Sequence, residues 1–411
     1  MTGLPFNTLI LLEPLGLLYG SSGRLLSPET LTGRAAEHFP PDSPALAGLV
    51  ASQLQRGDVW HLHTAGPFWF HPSGELMLPA PLNLIQAEGA PSEDPANSKG
   101  KKRKQSQPHL EPLPKRHCKR HLAWRESDNG SSSGGWYPTD GLAQSRKSPN
   151  GGWIRLEDWP HVASPGRLQG GLPIYGDPWQ ALPHLHPRLR EDERVSAHSE
   201  AADRDGGGAL FLEYGIALEP GVCLAYLSSH EVAEGRYRFG GEGHLVELRC
   251  QPLPEKLVEL LSQPLDGPFA LITPGLWGGP RLSRRDPIIT SKNGAPPQLP
   301  WHRHGRPAAI LTERPSSWRH CLGTRSAGKQ DDFRLSRGRW AVPAGSCYQI
   351  AGDPLAPWAE WPEAWFPKEG FCFKQLGTAL ALPLSLPSPD VRPPLWPDPH
   401  PRPAARGGFR G

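Results

Sequence analysis

The chain has 411 residues, which is longer than one typical domain and predicts two domains with a sizeable core. Only 37% of the residues are apolar, whereas there are 50 prolines and 46 glycines, so we expect much of the length to be loop or disordered insertion. The 44 Lys and Arg residues nearly balance the 41 Asp and Glu residues, which excludes a strongly charged chain. Any affinity for nucleic acid must therefore come from local clusters of charge.

The cysteines and the hydropathy pattern exclude several further classes of protein. The six cysteines lie far apart with no CxxC pair, which argues against a zinc cluster and against a small disulfide scaffold. No apolar run is long enough to cross a bilayer, and no basic region precedes the first apolar stretch. We expect a reduced cytoplasmic protein that binds no membrane, no metal and no cofactor.

The first elements in the chain alternate between strand and helix patterns. Residues 8–12 predict a short buried strand. A helix is predicted from Ser43, with Ser43 as N-cap and Pro44 at its first position, because Leu46, Leu49 and Val50 then share one face. Residues 58–70 and 75–78 predict strands joined by a turn at residues 72–74.

The regular pattern then stops over residues 88–152, which we interpret as a disordered insertion. This segment is rich in Ser, Gly, Pro, Lys and Arg, and it cannot bury enough apolar surface to offset the entropy of ordering it. Its central part, residues 99–121, holds nine Lys or Arg residues against one Glu. It is either an arm that contacts RNA or a solvated loop of low complexity.

Strand patterns return from residue 210 onward. Residues 210–218 and 222–227 both alternate around a turn at residues 219–221, which predicts a β-hairpin. A strand at residues 244–250 and a short helix at residues 254–261 follow. The later strands are predicted at residues 269–273, 339–350 and 377–384, and the tail from residue 386 to 411 shows no sign of a fold.

This mixture of strands and few helices predicts an α+β fold. The number and spacing of the elements fit two ferredoxin-like (RRM-like) βαββαβ domains, with the long basic insertion in the first. We place the first domain at residues 1–252 and the second at residues 253–385. Because such folds host many activities, the architecture alone does not name a function.

The most informative segment is FGGEGHLVELR at residues 239–249. Gly240, Gly241 and Gly243 stand within four positions, and Arg236 and Arg238 precede them. Glycine lets the backbone approach a bulky anion closely, because it has no Cβ and tolerates positive φ. We therefore predict RNA contacts from this turn, from its two flanking arginines and from His244, with Glu242 ordering the turn. The alternative is that these glycines form only a tight turn.

A second candidate surface combines aromatic and guanidinium groups. The sequence PWHRHGR at residues 300–306 contains Trp301 and Arg303, and Arg319 follows. Such groups stack on bases and pair with phosphates. Arg337 and Arg339 lead into a predicted strand and would line the same groove, unless they only protect a strand edge. Solvated loop residues are the alternative for the first part of this surface.

Signatures of common enzymes are missing from the sequence. It contains no GxxxxGK[ST] phosphate loop and no HExxH. His61, His63 and His244 are candidate acid or base groups, but no second group is placed with any of them by sequence. We therefore expect a protein without catalytic activity, with a metal-independent endoribonuclease as the alternative.

Five separated stretches of the chain resemble the RAMP superfamily of CRISPR proteins, and within it the third Cmr subunit of type III-B effector complexes. They are LLEPLGLL from Leu11, FPPDSPALAGLV from Phe39, GPFWFHPSGELMLPAP from Gly66, FGGEGHLVEL from Phe239 and RWAVPAGSCYQI from Arg339. They also occur in the family's order. The departure is that the family's "phenylalanine, arginine, aspartate" run after the first strand is replaced here, and only Gly23 and Arg24 persist.

The resemblance implies two ferredoxin-like domains whose glycine-rich loops hold the 5′ handle of the CRISPR RNA (crRNA), with Arg24 as a further contact. It also implies docking against the large polymerase-like subunit on one side and the backbone subunit on the other, so that target RNA is met only indirectly. A role in antiviral defence follows. The equivalent subunit of a type III-A complex, which differs only in its partners, is the second alternative.

Overall fold

The structure is a computed structural model, and it is mostly β with few helices. It describes residues 3–18, 39–55, 57–85, 114–125, 134–141, 151–187, 210–240, 243–279, 282–289, 296–302, 307–324, 333–350 and 354–384. The predicted tail and most of the basic segment at residues 99–121 lie outside these ranges, as do Arg24, Gly241, Glu242 and Arg303. Among the described residues, no helix is long and apolar enough to cross a membrane.

The elements of the described residues are short, and most are strands. The helices are α1 (Ser43–Ala51) and α2 (Glu255–Leu261), with 3-10 turns at Asp58–His61, Leu156–His161, Pro165–Arg167, Trp358–Glu360 and Glu363–Trp365. The strands are β1 (Thr8–Pro14), β2 (Thr64–Phe70), β3 (Leu76–Pro79), β4 (Leu84–Ile85), β5 (Arg116–Cys118), β6 (Arg120–Arg125), β7 (Gly135–Pro138), β8 (Trp153–Arg155), β9 (Leu172–Ile174), β10 (Trp179–Pro187), β11 (Leu210–Leu218), β12 (Cys223–Ser228), β13 (Gly235–Phe239), β14 (His244–Pro252), β15 (Phe269–Leu271), β16 (Trp277–Gly278), β17 (Ser283–Arg284), β18 (Ala309–Leu311), β19 (Ser316–Trp318), β20 (Cys321–Thr324), β21 (Phe333–Leu335), β22 (Arg339–Ala341), β23 (Cys347–Gln349), β24 (Lys368–Glu369), β25 (Phe371–Cys372) and β26 (Ala381–Pro383).

The largest sheet has seven antiparallel strands in the order β13-β14-β1-β12-β2-β3-β8. Its members β14, β1, β12 and β2 take the order 4-1-3-2 that a βαββαβ unit would give, and α1 connects β1 to β2. No second helix of such a unit forms among the described residues between β12 and β14. Instead, β13 turns back onto β14 as a hairpin and becomes the edge of the sheet.

Helix α1 forms where the sequence predicts it and covers one face of this sheet. Pro44 lies in its first turn, although Asp42 rather than Ser43 is the N-cap residue. Leu46, Leu49 and Val50 are buried against the apolar side chains of β1, β12 and β14. The predicted one-sided apolar pattern therefore correctly identifies the packing face.

The second sheet repeats this strand order on a smaller scale. Its four strands are arranged β18-β23-β15-β26 and are antiparallel throughout. Numbered by their order in the chain and read from β26, they follow the same order 4-1-3-2 as in the large sheet. Helix α2 precedes the sheet. Among the described residues between its strands, only the 3-10 turns and short β-ladders occur, so the predicted pair of helices is not formed there.

One hydrophobic core runs through both sheets. It joins Leu9 and Leu11 of β1 to Phe269 and Leu271 of β15, among many others. Hydrogen bonds also join the large sheet to the second unit, by which we mean the described residues after residue 252. The Thr64 amide donates to the Gln375 carbonyl at 2.8 Å, and the Trp159 indole donates to the Pro383 carbonyl at 2.8 Å. Residues on both sides of residue 252 therefore contribute to one core.

The closest approach between the units is at Gly377, which has φ +63°. A Cβ added there would lie 2.5 Å from both the Ala65 Cα and the Thr64 carbonyl oxygen of β2. No side chain larger than hydrogen fits at that distance. The second unit consequently sits directly on the backbone of the large sheet.

The predicted hairpin at residues 210–227 is wrong. The turn exists, with a hydrogen bond from the Val222 amide to the Glu219 carbonyl, but the two strands go to different sheets. β11 pairs with β10 to form a separate ribbon, whereas β12 lies between β1 and β2. All six residues of β12 are buried, which is typical of a central strand covered on both faces.

The predicted disorder of residues 88–152 is also wrong in part. β5, β6 and β7 form within it, with Cys118 and Leu122 buried. Arg120 is almost buried as well and forms an ion pair with Asp140. In these strands the cationic residues are interspersed with buried residues. The high number of Lys and Arg residues in the segment therefore conceals its strand pattern.

Most of the remaining predictions agree with the structure, with small changes of boundary. The exceptions are that residues 58–61 of the predicted first strand form the 3-10 turn Asp58–His61, and that the strand predicted at residues 377–384 is confined to Ala381–Pro383. β1, β14, α2 and β15 form where expected, and β2 and β3 make the predicted hairpin. The predicted strand at residues 339–350 is two strands, β22 and β23, separated by a turn in which Gly345 has φ +86°.

We predict that Gly377→Ala strongly destabilises the protein, whereas Gly370→Ala has a small effect. Both glycines have positive φ, which costs an L-residue roughly 1–2 kcal/mol. Of these two positions, only Gly377 has neighbouring atoms within 4 Å of an added Cβ. Its substitution should therefore lower the free energy of unfolding by roughly a further 1–3 kcal/mol through overpacking. Urea unfolding of the two variants measures the difference. Equal losses would contradict the close packing of the two units.

Candidate nucleic-acid interface

The large sheet has one face covered along its whole width and one face covered only in part. Among the described residues, the second unit packs over β12, β2 and β3, but it does not extend over β13 and β14. We call this uncovered surface, at one edge of the sheet, the open face. Its side chains belong to three neighbouring strands and the residue after β1, and they are Glu13, Leu15, Arg236, Arg238, Leu245, Glu247 and Arg249.

The glycine-rich turn closes the β13–β14 hairpin at the end of the open face. The Gly243 amide donates to the Gly240 carbonyl at 3.2 Å, and the two residues have φ values of +65° and +75°. Such values favour glycine at both positions. No atom of the described residues lies within 4 Å of a Cβ added at Gly240. The backbone of Gly240 therefore faces open space within the part of the chain that the structure describes.

Arg236 and Arg238 lie on the open face as the sequence predicts. They alternate along β13 with Tyr237 and Phe239, which point to the opposite, covered face. Among the described residues neither arginine forms an ion pair. By contrast, Arg249 further along the same face is 3.1 Å from the Glu13 carboxylate. Two exposed guanidinium groups are thus available to anions next to the turn.

His244 lies on the other side of the sheet. It is paired in register with Phe239, and it shares its face with Val246, one period further along β14. The side chain is half-buried. His244 is consequently not grouped with Arg238, which is opposite Leu245.

Trp301 belongs to the core and is removed from the predicted RNA contacts. Its side chain is 0% exposed, and its ring centroid lies 5.1 Å from those of Trp277 and Tyr348 and 5.6 Å from that of Phe269. A buried indole has no face to offer a base. The histidines and arginines around it in sequence made it look like a surface residue.

Each of the three later arginines has a partner within the protein. Arg339 is 6% exposed, donates to the Gly279 carbonyl at 2.8 Å, lies 3.5 Å from Glu369, and its pKa is lowered by burial. Arg319 donates to the Ser336 carbonyl at 2.9 Å. Arg337 is exposed, but Glu369 lies 3.9 Å from it. Arg339 therefore holds the fold together rather than facing a ligand.

The histidines that could act as acid or base lie in different environments. His61 is exposed in a 3-10 turn, whereas His63 is half-buried with its pKa lowered by that burial. His320 is more deeply buried, which lowers its pKa to about 4 and keeps its imidazole neutral. Among the described residues, no three His, Cys, Asp or Glu side chains converge as metal ligands.

A cleft of about 420 Å³ at the far end of the open face was not found by sequence analysis. It is lined by Glu13, Phe70, Pro72, Cys223, Arg249 and Gln251, among others. These residues come from different strands that are far apart in the chain. The one local signal is Glu13, a carboxylate at the end of an otherwise apolar strand.

Comparisons with known proteins leave the family undecided. No family model matches the chain, and no curated protein matches it. A cryo-EM structure of the type III-B Cmr-beta bound to cognate target RNA contains a chain that is 10% identical, with 83% of this chain and 86% of that chain covered at a TM-score of 0.38. The crystal structure of the Csm3-Csm4 subcomplex of the type III-A interference complex matches at 11% identity, with 85% and 94% covered and a TM-score of 0.31. Overlaps this loose carry no argument about function.

We predict that Trp301→Ala costs about 3–5 kcal/mol of unfolding free energy, because it empties the centre of an aromatic cluster. Trp340→Ala is the matched control, since Trp340 is 58% exposed and its loss should change stability by less than about 0.5 kcal/mol. Chemical denaturation followed by circular dichroism measures both. A Trp301→Ala protein as stable as the control would contradict the burial of Trp301 in the core.

Proposed function

We propose that this chain is a non-catalytic RNA-binding subunit of a type III CRISPR effector complex, the equivalent of the third Cmr subunit of type III-B, and that it anchors the 5′ handle of the crRNA. The choice of this type of subunit rests on the five stretches of sequence that resemble the family. The observation that carries the RNA contact is the pair Arg236 and Arg238, exposed beside an open glycine-rich turn and without an ion pair among the described residues.

The open face supplies each kind of contact that single-stranded RNA needs. The backbone at Gly240 leaves room for a phosphate or a splayed base, and the two guanidinium groups supply positive charge. Leu15 and Leu245 are exposed neighbours, joined by a hydrogen bond from the Leu15 amide to the Leu245 carbonyl at 3.0 Å. Apolar side chains at this place would pack against a ribose or a base.

The partners in this proposal are the large polymerase-like subunit and the backbone subunit of the complex. Exposed Trp60, Leu282 and Trp340 lie away from the open face on other elements. Large apolar side chains of this kind suit protein contacts better than solvent. The chain would thus bridge two subunits in the cytoplasm and meet target RNA only through the guide.

Two alternatives differ from this proposal in testable ways. A metal-independent endoribonuclease that processes precursor crRNA would require a histidine acting with a second group, and His61 and His244 are the candidates from sequence. The equivalent subunit of a type III-A complex would bind RNA in the same way but with other partners. Co-purification with subunits of each complex separates the two complex types.

We predict that Arg236→Ala combined with Arg238→Ala lowers the affinity for a labelled guide RNA roughly tenfold or more and reduces the salt dependence of binding. Each lost phosphate contact should remove about 0.7 from the slope of log K against log salt for a single strand. Arg314→Ala removes one exposed charge elsewhere and is the control. Fluorescence anisotropy at several salt concentrations measures both quantities. Unchanged affinity and slope in the double variant would contradict the proposed interface.

We further predict that the wild-type protein retards a labelled repeat RNA in EDTA without cutting it, because no acid and base pair is assembled on the open face. The control is His244→Ala, which should leave the RNA intact to the same extent. A discrete product that disappears in His244→Ala or His61→Ala would establish the endoribonuclease instead.

A further inference from the structure

The cleft at the far end of the open face differs in character from the glycine-rich turn. It opens between β1, β14, β12 and β2, with the Phe70 ring and Pro72 on one side and Arg249 and Gln251 on the other. Its volume of about 420 Å³ is ample for one planar heterocycle. Arg249 lies six residues along β14 from Gly243, about 20 Å at the rise of a strand. One bound strand of RNA could reach both places.

Arg249 is held in a fixed position at the mouth of this cleft. Its Nη2 lies 3.1 Å from the Glu13 Oε2 and 3.3 Å from the Cys223 Sγ. Both charged side chains nevertheless remain partly exposed, so each keeps hydrogen-bonding capacity that the other does not use. A donor and an acceptor therefore stand side by side, already oriented.

The balance of charge argues against a phosphate in the cleft. Glu13 and Glu234 both line it, against Arg249 alone. Beside the turn the ratio is reversed, because Arg236 and Arg238 stand opposite Glu247 and Leu245 in register, which gives two guanidinium groups for one carboxylate. A phosphate would therefore meet more repulsion in the cleft than beside these two arginines. A neutral group that both donates and accepts hydrogen bonds, and that has an apolar face for Phe70, fits this environment.

We infer that the cleft is a nucleobase subsite that favours guanine; this inference rests on the proposed RNA-binding function. The Glu13 carboxylate would accept hydrogen bonds from guanine N1–H and N2–H, while the adjacent Arg249 guanidinium donates to O6. Adenine presents an acceptor at N1 and a donor at N6, so its order of groups is the reverse. The side-by-side placement of Glu13 and Arg249 is thus the specificity element.

The test compares short uridine oligomers that carry one central guanosine, inosine or adenosine. We expect the wild-type protein to bind the guanosine oligomer roughly tenfold more tightly than the adenosine oligomer, with inosine between them because it lacks the N2 amino group. Glu13→Gln should remove this preference and keep the binding of plain uridine oligomer. Glu313→Gln is the matched control, because Glu313 is an exposed carboxylate that belongs neither to the open face nor to the lining of the cleft.

The outcomes separate this inference from the proposed function. Equal binding of all three oligomers, or a guanosine preference that survives in Glu13→Gln, would overturn the guanine subsite. If, in that case, the combined Arg236→Ala and Arg238→Ala variant still binds plain uridine oligomer less tightly, the RNA-binding function stands without the subsite. If that double variant binds as well as wild type, the proposed function fails on its own.

Discussion

The packing of the second unit onto the large sheet determines where this protein can bind a ligand. Gly377 brings the second unit against the backbone of Ala65 and Thr64, and the shared core then closes most of one sheet face. Helix α1 closes the opposite face. Within the described part of the chain, this packing leaves exposed the edge of the sheet made by β13, β14 and the end of β1. The glycine-rich turn and the cleft lie at the two ends of that edge.

The sequence predicts elements well where the signal is local. β1, α1 and β14 each follow from the periodicity of a few apolar residues, and the exposure of Arg236 and Arg238 follows from alternation with Tyr237 and Phe239. Pairing between strands is not local, so β11 and β12 look like one hairpin although they belong to different sheets. Cys118 and Leu122 are core residues hidden among cations, and no composition argument finds them.

Dependence on contacts between distant parts of the chain also explains which features of the site the sequence could and could not reveal. Trp301 is buried by Phe269, Tyr348 and Trp277, which stand 24 to 47 positions away in sequence, so its neighbours in the chain gave the wrong environment. The cleft brings Glu13, Phe70, Cys223 and Arg249 together from four strands. The set of side chains that line the cleft therefore depends on the order of the strands in the sheet. The glycine turn, by contrast, is contained in eleven consecutive residues and could be predicted directly.

The most direct test of the central claim is to locate the RNA on the protein. Guide RNA that contains 4-thiouridine would be cross-linked to the full chain with ultraviolet light, and the cross-linked peptides identified by mass spectrometry. The open face predicts cross-links within residues 234–252 and near residues 13–15. Cross-links confined to residues 99–121 or to residues 300–320, with none on β13 or β14, would contradict it.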